Sequence, residues 1–398
     1  MAVLRDYIKI KHGFAFKGDH ISTIDNGIVL VTPGNFSIGG GFKEEKCKFF
    51  DGEYPIDYVL KPGDLIVTMT DLSKAIDTLG YSALVPNSER TYLHNQRIGL
   101  VQIIDDESLD MHYLYWFMRT PYYQKTIAAT SSGSTVHHTS PDRIMDIEIE
   151  VPDLKKQRSV AKFMDNIESK INTNKQINEN LEQQAQAYFE ELFVVNADPN
   201  WPECMLSDIG SIVAGGTPSK SKSEYYADQG IAWITPKDLS VDKSKFISHG
   251  ENDISELGFS KSSTKKMPAG TVLFSSRAPI GYIAIAQNEL TTNQGFKSVI
   301  PNENIGTSYV YFLLKNLLPT IEGMASGSTF KEISGSGMKS VPTVMPDVNT
   351  IQLFNNFCEP IFKKQEVLET ENCRLSALRD SLLPKLMSGE IDISSLDI

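Results

Sequence analysis

The sequence predicts an α+β chain in which two duplicated mixed α/β domains are separated by two long coiled-coil helices. The first observation behind this is a repeat. SSGSTVHHTSPDRIMDIEIEVPD (residues 131–153) aligns without a gap on ASGSTFKEISGSGMKSVPTVMPD (residues 325–347), with Gly133 on Gly327 and Pro152 on Pro346, 194 positions apart. Upstream, YLYWFM from Tyr113 matches YVYFLL from Tyr309, and LHNQRIGLVQI from Leu93 matches TTNQGFKSVIP from Thr291, with small insertions. A unit of this length is too long for a solenoid repeat and reads as two copies of a domain. Further upstream the copies diverge: GFAFKGDHIS from Gly13 and GGTPSKSKSEYY from Gly215 share position but little else.

The second observation is a heptad run after each repeat. Val160, Met164, Ile167, Ile171, Asn174, Asn178, Leu181, Ala185, Tyr188 and Leu192 follow a 4,3 spacing. The same offset gives Phe354, Cys358, Ile361, Gln365, Leu368, Asn372, Leu375, Arg379, Leu382 and Leu386. A 3.5-residue period sustained this long is a coiled-coil pattern, and Asn174, Asn178 and Asn372 in the seam cost stability while fixing register. Asp153 is placed to cap the first helix, and Gly389 follows the end of the second. Helices of about 35–40 residues make rods of roughly 50–60 Å.

Each domain reads as strand-rich. DLIVTM from Asp64, TVLFSS from Thr271 and YIAIAQ from Tyr282 are short apolar runs bounded by Gly, Pro, Asn and Ser. Helices are expected at 111–119 and 308–316, ahead of each Gly/Ser loop, and NADPNWP at 196–202 supplies turn chemistry between the halves. The division is 1–152 for the first domain, 153–195 for the first long helix, 196–346 for the second domain and 347–398 for the second long helix.

Composition excludes several classes. With 398 residues, 40% hydrophobic and 22% charged, the chain can bury sizeable cores and is not globally disordered. No run of 18 apolar residues occurs, and MAVLRDYIKIKHGF lacks a signal peptide's apolar core, so no membrane association is expected. Cys47, Cys204, Cys358 and Cys373 are scattered without a CxxC, which argues against a zinc cluster or disulfide framework and for a reduced cytoplasm. The formal net charge is −12, yet residues 1–150 carry 14 basic and 20 acidic side chains and residues 198–347 carry 13 and 15. A duplex binder with this balance needs local cationic clusters.

Catalytic motifs are lacking. There is no GxxxxGK[ST], no GxGxxG after a strand, no HExxH and no GxSxG, and the adjacent His137 and His138 have no further ligand at metal spacing. Pro152-Asp153 with Glu168-Ser169-Lys170 fits the loose PD…ExK nuclease pattern. Glu168 and Lys170, however, lie within the heptad helix, over about 20 Å from Asp153, and cannot converge with it on a metal. Polar loops recur instead. Asn95, Gln96 and Arg97 in one copy, and Asn293, Gln294 and Lys297 in the other, are side chains suited to adenine and guanine edges. Thr217, Ser219, Lys220 and Lys222, with the stretch 261–266 that holds Lys265 and Lys266, offer hydroxyls and lysines that position phosphates.

With those motifs in place, the chain resembles the specificity (S) subunit of type I restriction–modification systems. The likeness rests on GGTPSKSKSEYY from Gly215, IAWITPKDLS from Ile231, TTNQGF from Thr291, ASGSTF from Ala325, VPDLKKQRSVAKFM from Val151, YFEELFV from Tyr188 and LLPKLMSGEI from Leu382, and covers nearly the whole chain. The resemblance implies two target recognition domains, each reading half of a split, asymmetric DNA site. It further implies two long antiparallel helices acting as a spacer and docking two methyltransferase (M) subunits. Those partners would use S-adenosylmethionine to methylate adenine, a restriction (R) subunit can join, and this chain itself would be non-catalytic and cofactor-free. GFAFKGDHIS departs from the common TPS-type loop, so contacts of the first copy are harder to carry over. Two other classes stay open at this stage: a coiled-coil adaptor joining two protein-binding domains, and a self-sufficient nuclease or methyltransferase, for which no motif is found.

Overall fold

The computed structural model describes residues 2–45, 47–71, 73, 76–133, 135–327 and 331–393. The chain divides into two compact units, Met1–Lys170 with Leu375–Ile398, and Ile171–Arg374. Each unit therefore contains one strand-rich domain and part of both long helices.

The two domains repeat one topology. In the first, an antiparallel sheet runs in the order Ile8–His12, Ile98–Ile103, Leu65–Thr68, Ser82–Leu84. A second sheet pairs Ile28–Val31 in parallel with Thr91–His94. In the other domain the equivalent sheet begins Gly210–Ala214, Lys297–Pro301, Val272–Ser276, Ile280–Ala286, and Ile231–Ile234 again pairs in parallel with Thr291–Thr292. A short clamp closes each copy: Ala2–Val3 on Glu148–Ile149, and Glu203–Met205 on Pro342–Val344.

The apolar runs become central strands because both faces are covered. Leu65 and Val67 join the core that contains Trp116, whereas Ile66 joins one with Val29, Val31 and Tyr92. Val272 and Phe274 divide from Leu273 in the same way. Side chains alternate across a strand, so one run feeds two cores.

The short helices differ from expectation. The helix expected over 111–119 ends as Met111–Phe117 and is followed by Pro121–Thr130. The one expected over 308–316 runs as Thr307–Met324, through Pro319. The residue ahead of the proline accounts for this: the Thr120 hydroxyl accepts the Tyr123 amide at 3.2 Å and starts a new helix, whereas Leu318 offers no capping group.

The long helices span Leu154–Glu190 and Val348–Met387, the first extended by a π-helical turn at Glu191–Val195. Asp153 and Asp347 accept the amides of Lys156 and Thr350, each at 3.0 Å, and Gly389 (φ 73°) donates its amide to the Leu386 carbonyl. Within each unit the helix segments run antiparallel. Glu168 meets Arg379 at 2.8 Å in one, and Asn174 meets Asn372 at 2.9 Å while Phe189 meets Phe354 at 5.6 Å in the other. The seam positions from Val160 to Asn174 and from Phe354 to Leu368 are buried, whereas Asn178, Leu181, Asn372, Leu375 and Arg379 are half-buried. Near the ends Phe189 and Leu383 are buried, while Tyr188 and Leu382 are only half-buried. A straight helix drifts by about 20° per heptad against a 3.5 repeat, and over several heptads the seam moves to the next position.

Packing at the helix ends is unequal. In the second unit the Phe193 ring lies 4.8 Å from Tyr309, 5.5 Å from Phe354 and 6.0 Å from Trp201. At the 194-residue offset, Val160 and Met387 stand for Phe354 and Phe193, and there a cavity of about 310 Å³ opens between Tyr113, Pro152, Val160, Leu386 and Met387. Phe354→Ala is therefore expected to destabilise the second unit by about 3–5 kcal/mol, and by more than Val160→Ala does the first, measured as shifts in urea unfolding.

Candidate nucleic-acid interface

The polar turns form equivalent structures in the two copies. The Asn95 side-chain oxygen accepts the Arg97 amide at 3.0 Å, and the Asn293 oxygen accepts the Gly295 amide at 2.8 Å. Each asparagine thus closes its own turn, which leaves Gln96, Arg97 and Gln294 exposed at the tips. A glycine lies against each turn. A Cβ on Gly13 would fall 2.0 Å from the Asn95 carbonyl oxygen, and one on Gly215 would fall 1.9 Å from that of Asn293. This close approach is the feature shared by the divergent loops GFAFKGDHIS and GGTPSKSKSEYY. The sequence carries the signal as a glycine opening both segments, legible once each is set against its NQ pair.

In the second unit three loops meet at this glycine. Gly216 donates its amide to the Thr292 carbonyl at 2.9 Å, and its own carbonyl accepts the Trp233 indole N–H at 3.0 Å. A Cβ on Gly216 would lie 2.5 Å from the Thr264 nitrogen, so the 215–222 loop passes directly over 261–266. Thr217 is half-buried, whereas Ser219, Lys220, Lys222 and Lys265 are exposed. Ser219 shares a 2.9 Å hydrogen bond with Ser221, and Lys222 donates to the Tyr225 hydroxyl at 3.2 Å. Lys266 pairs with Glu289 at 3.2 Å.

Lys297 departs from expectation. It is buried, donates to the Ser276 hydroxyl at 3.3 Å and lies 3.6 Å from Glu332. Burial lowers the pKa of its ammonium, partly offset by Glu332. Its place within the strand Lys297–Pro301 turns it into the core, so it supports the turn from beneath and does not project to a ligand.

The first unit builds the corresponding surface from aromatic rings. Phe14, 38% exposed, donates its amide to the His94 carbonyl, and its carbonyl accepts the Gln96 amide at 2.9 Å. Phe16 and Tyr58 pack on it at 5.2 and 5.3 Å, and the Lys11 ammonium lies 4.5 Å over Tyr58. His94 is fully buried, and burial lowers its pKa.

Among the described residues no group of three or more His, Cys, Asp or Glu is placed to hold a metal ion. The PD…ExK residues are engaged elsewhere: Asp153 caps its helix and Glu168 pairs with Arg379. Nor is any described helix long and apolar enough to cross a membrane.

A family model for the type I restriction modification DNA specificity domain matches the chain twice, over residues 5–183 and 199–367. The chain belongs to this family. Its HindI specificity subunit from Haemophilus influenzae is 26% identical over 348 residues, covering 68% of this chain and 75% of that protein. The MjaIX specificity subunit from Methanocaldococcus jannaschii is 37% identical over 190 residues, which are 46% of this chain but only 44% of that relative's length. The crystal structure of an S subunit from M. genitalium shares the fold, with a TM-score of 0.61 at 16% identity over 97% of this chain and 95% of that one.

The turn geometry separates the two amides of each specificity domain. Asn293→Ala should cost about 0.5–1.5 kcal/mol of stability through the lost turn hydrogen bond. Gln294→Ala should stay within about 0.5 kcal/mol of the parent. Chemical denaturation of both variants checks the assignment.

Proposed function

We propose that this chain is the DNA-reading, non-catalytic subunit of a type I restriction–modification complex, in which each domain reads one half of a split, asymmetric site. The observation that carries the reading is the equivalence of the Gly13–Asn95 and Gly215–Asn293 junctions. One scaffold is built twice, and it presents different loop chemistry in each copy. Gln96, Arg97 and Gln294 are the candidates for base edges, and Lys220, Lys222 and Lys265 those for phosphates. Two methyltransferase subunits, carrying S-adenosylmethionine, would dock on the long helices and methylate adenine, and a restriction subunit can join them. The complex would act in the cytoplasm.

The loop assignments predict two kinds of loss. In the assembled complex Lys220→Ala or Lys265→Ala should weaken binding about equally on all duplexes and reduce the salt slope by about one. Gln294→Ala should instead cost on the order of 1–3 kcal/mol at a single base pair. Competition binding with single-substituted duplexes distinguishes them, and uniform weakening by Gln294→Ala would return that residue to the scaffold.

The long helices are proposed to set the number of unread base pairs between the half-sites. Each helical residue adds about 1.5 Å, and DNA advances about 3.4 Å per base pair. Matched four-residue insertions beside Asn174 and Asn372, which face each other at 2.9 Å, lengthen both helices by roughly 6 Å and turn them through about one helical turn. Genomic methylation mapping should then recover the same two half-sites with a gap one to two base pairs longer. An active mutant with an unchanged gap rules out the helices as ruler.

A further inference from the structure

Each unit contains a buried ionic junction that the DNA-reading assignment does not use. In the second unit Lys245 begins the approach to the strand Phe246–Ile247, at the edge of the sheet. Its side chain is 6% exposed, pairs with Glu182 of the first long helix and donates to Gln365 of the second at 2.6 Å. Its ammonium also lies 4.8 Å over Tyr311 and 5.5 Å over Phe312. Glu369 completes the arrangement by accepting the backbone amides of Lys245 and Phe246 at 2.9 and 3.1 Å.

The first unit reaches the same arrangement with different residues. Arg119, its side chain 3% exposed, lies 5.1 Å over Tyr115 and 4.3 Å over Trp116, the pair that matches Tyr311 and Phe312 in the repeat. It donates to the Gly39 carbonyl at 2.7 Å and approaches Glu168 of the first long helix at 3.8 Å, and Glu168 in turn meets Arg379 of the second at 2.8 Å. Gly40 (φ 89°) is confined here, since a Cβ would fall 2.7 Å from the Arg119 side chain. In both units a cation over a Tyr–aromatic pair joins a loop of the recognition domain to a glutamate of the first helix. The second helix is reached through that glutamate, by Arg379, in the first unit and by Lys245 itself, at Gln365, in the second. In one unit the loop supplies the cation; in the other it supplies a carbonyl to the cation.

The repeat supplies one such cation to each unit, since Arg119 aligns with Lys315, which pairs with Glu182 at 2.6 Å and lies 5.5 Å over Tyr311 and 5.3 Å over Phe312. Lys245 is a second cation at the junction of the second unit, and it comes from the recognition domain, at the approach to its edge strand. Stability does not require this ion pairing, since an apolar group of similar volume often replaces a buried ion pair at no loss. What an ion pair with fixed hydrogen bonds adds is direction. We propose that Lys245 and Arg119 are positioning residues, which fix the orientation of each recognition domain on the long helices and so restrict the complex to one gap length. This rests on the DNA-reading assignment above.

The test uses Lys245→Met, which keeps the aliphatic stem among the aromatic rings, and Lys245→Arg, which keeps the cation. In the free full-length chain, hydrogen exchange at the Lys245 and Phe246 amides should speed at least tenfold in the Met variant and return toward the parent in the Arg variant. Unchanged exchange in the Met variant overturns the latch whether or not the chain reads DNA. In cells with the partner subunits, methylation mapping of the Met variant should show both half-sites with unchanged bases, now joined by gaps one base pair longer or shorter beside the original. A single gap in the Met variant, whatever its melting temperature, reduces Lys245 to a structural contact and overturns the proposal. Should the Met variant fail to accumulate, Glu182→Gln removes the charge of the partner at nearly constant shape and is judged by the same two readouts.

Discussion

An α-helix carries one apolar stripe, and in each unit here that stripe is shared between the opposite helix and a domain. Val160, Met164, Leu383 and Leu386 belong to the same core as Tyr113 and Trp116; Ala185, Phe189, Phe354 and Cys358 belong to the core of Tyr309 and Phe312. Polar groups cross the same boundary. The buried Gln157 donates to the Ser108 carbonyl and accepts the Asp110 amide, and Trp116 donates its indole N–H to Asp165 at 2.8 Å. Neither domain closes its core without the helices, so any displacement of a helix segment is transmitted to the sheet that rests on it.

The coarse plan was legible because it rests on periodicity. The repeat, the heptads, the caps at Asp153 and Gly389 and the main strands need only the spacing of apolar and turn residues. What was not legible depends on three-dimensional neighbours. Nothing in the spacing says that Lys297 faces inward; its strand is covered on both sides, and burial follows from that cover. The seam's move from Tyr188 to Phe189 comes from helix geometry that a strict heptad ignores. Of the ionic junctions the alignment carries the Arg119–Lys315 equivalence, whereas Lys245 has no counterpart in the repeat and joins Glu182 only after folding.

The NQ turns show how one scaffold holds two chemistries. The asparagine oxygen is committed to a backbone amide in both copies, and a glycine is forced to pack on the asparagine carbonyl. These are steric and hydrogen-bond requirements of the turn itself, independent of any ligand. Divergence is then confined to what projects from it: Phe14, Gln96 and Arg97 in one copy, Gln294 with the Thr217–Lys222 hydroxyls and lysines in the other. Residue types alone could not separate the asparagine from the glutamine beside it, since both amides suit the same base edge.

The same separation reconciles an acidic chain with a polyanionic partner. Several carboxylates are paired with cations within their own unit, Glu182 with two lysines, Glu168 with Arg379, Glu332 with Arg277 and Lys297, and Glu289 with Lys266, and these pairs leave the net charge of −12 to other side chains. For Glu182, burial opposes ionisation, but the charges of Lys245 and Lys315 outweigh it and hold its pKa below the ordinary value. Exposed charges act over about 8 Å at physiological salt, so a phosphate beside Lys220 or Lys265 responds to its neighbours and not to the sum over the chain. Net charge therefore does not predict the polarity of the reading surface, which is set by how the loops at Gly215–Gly216 are brought together.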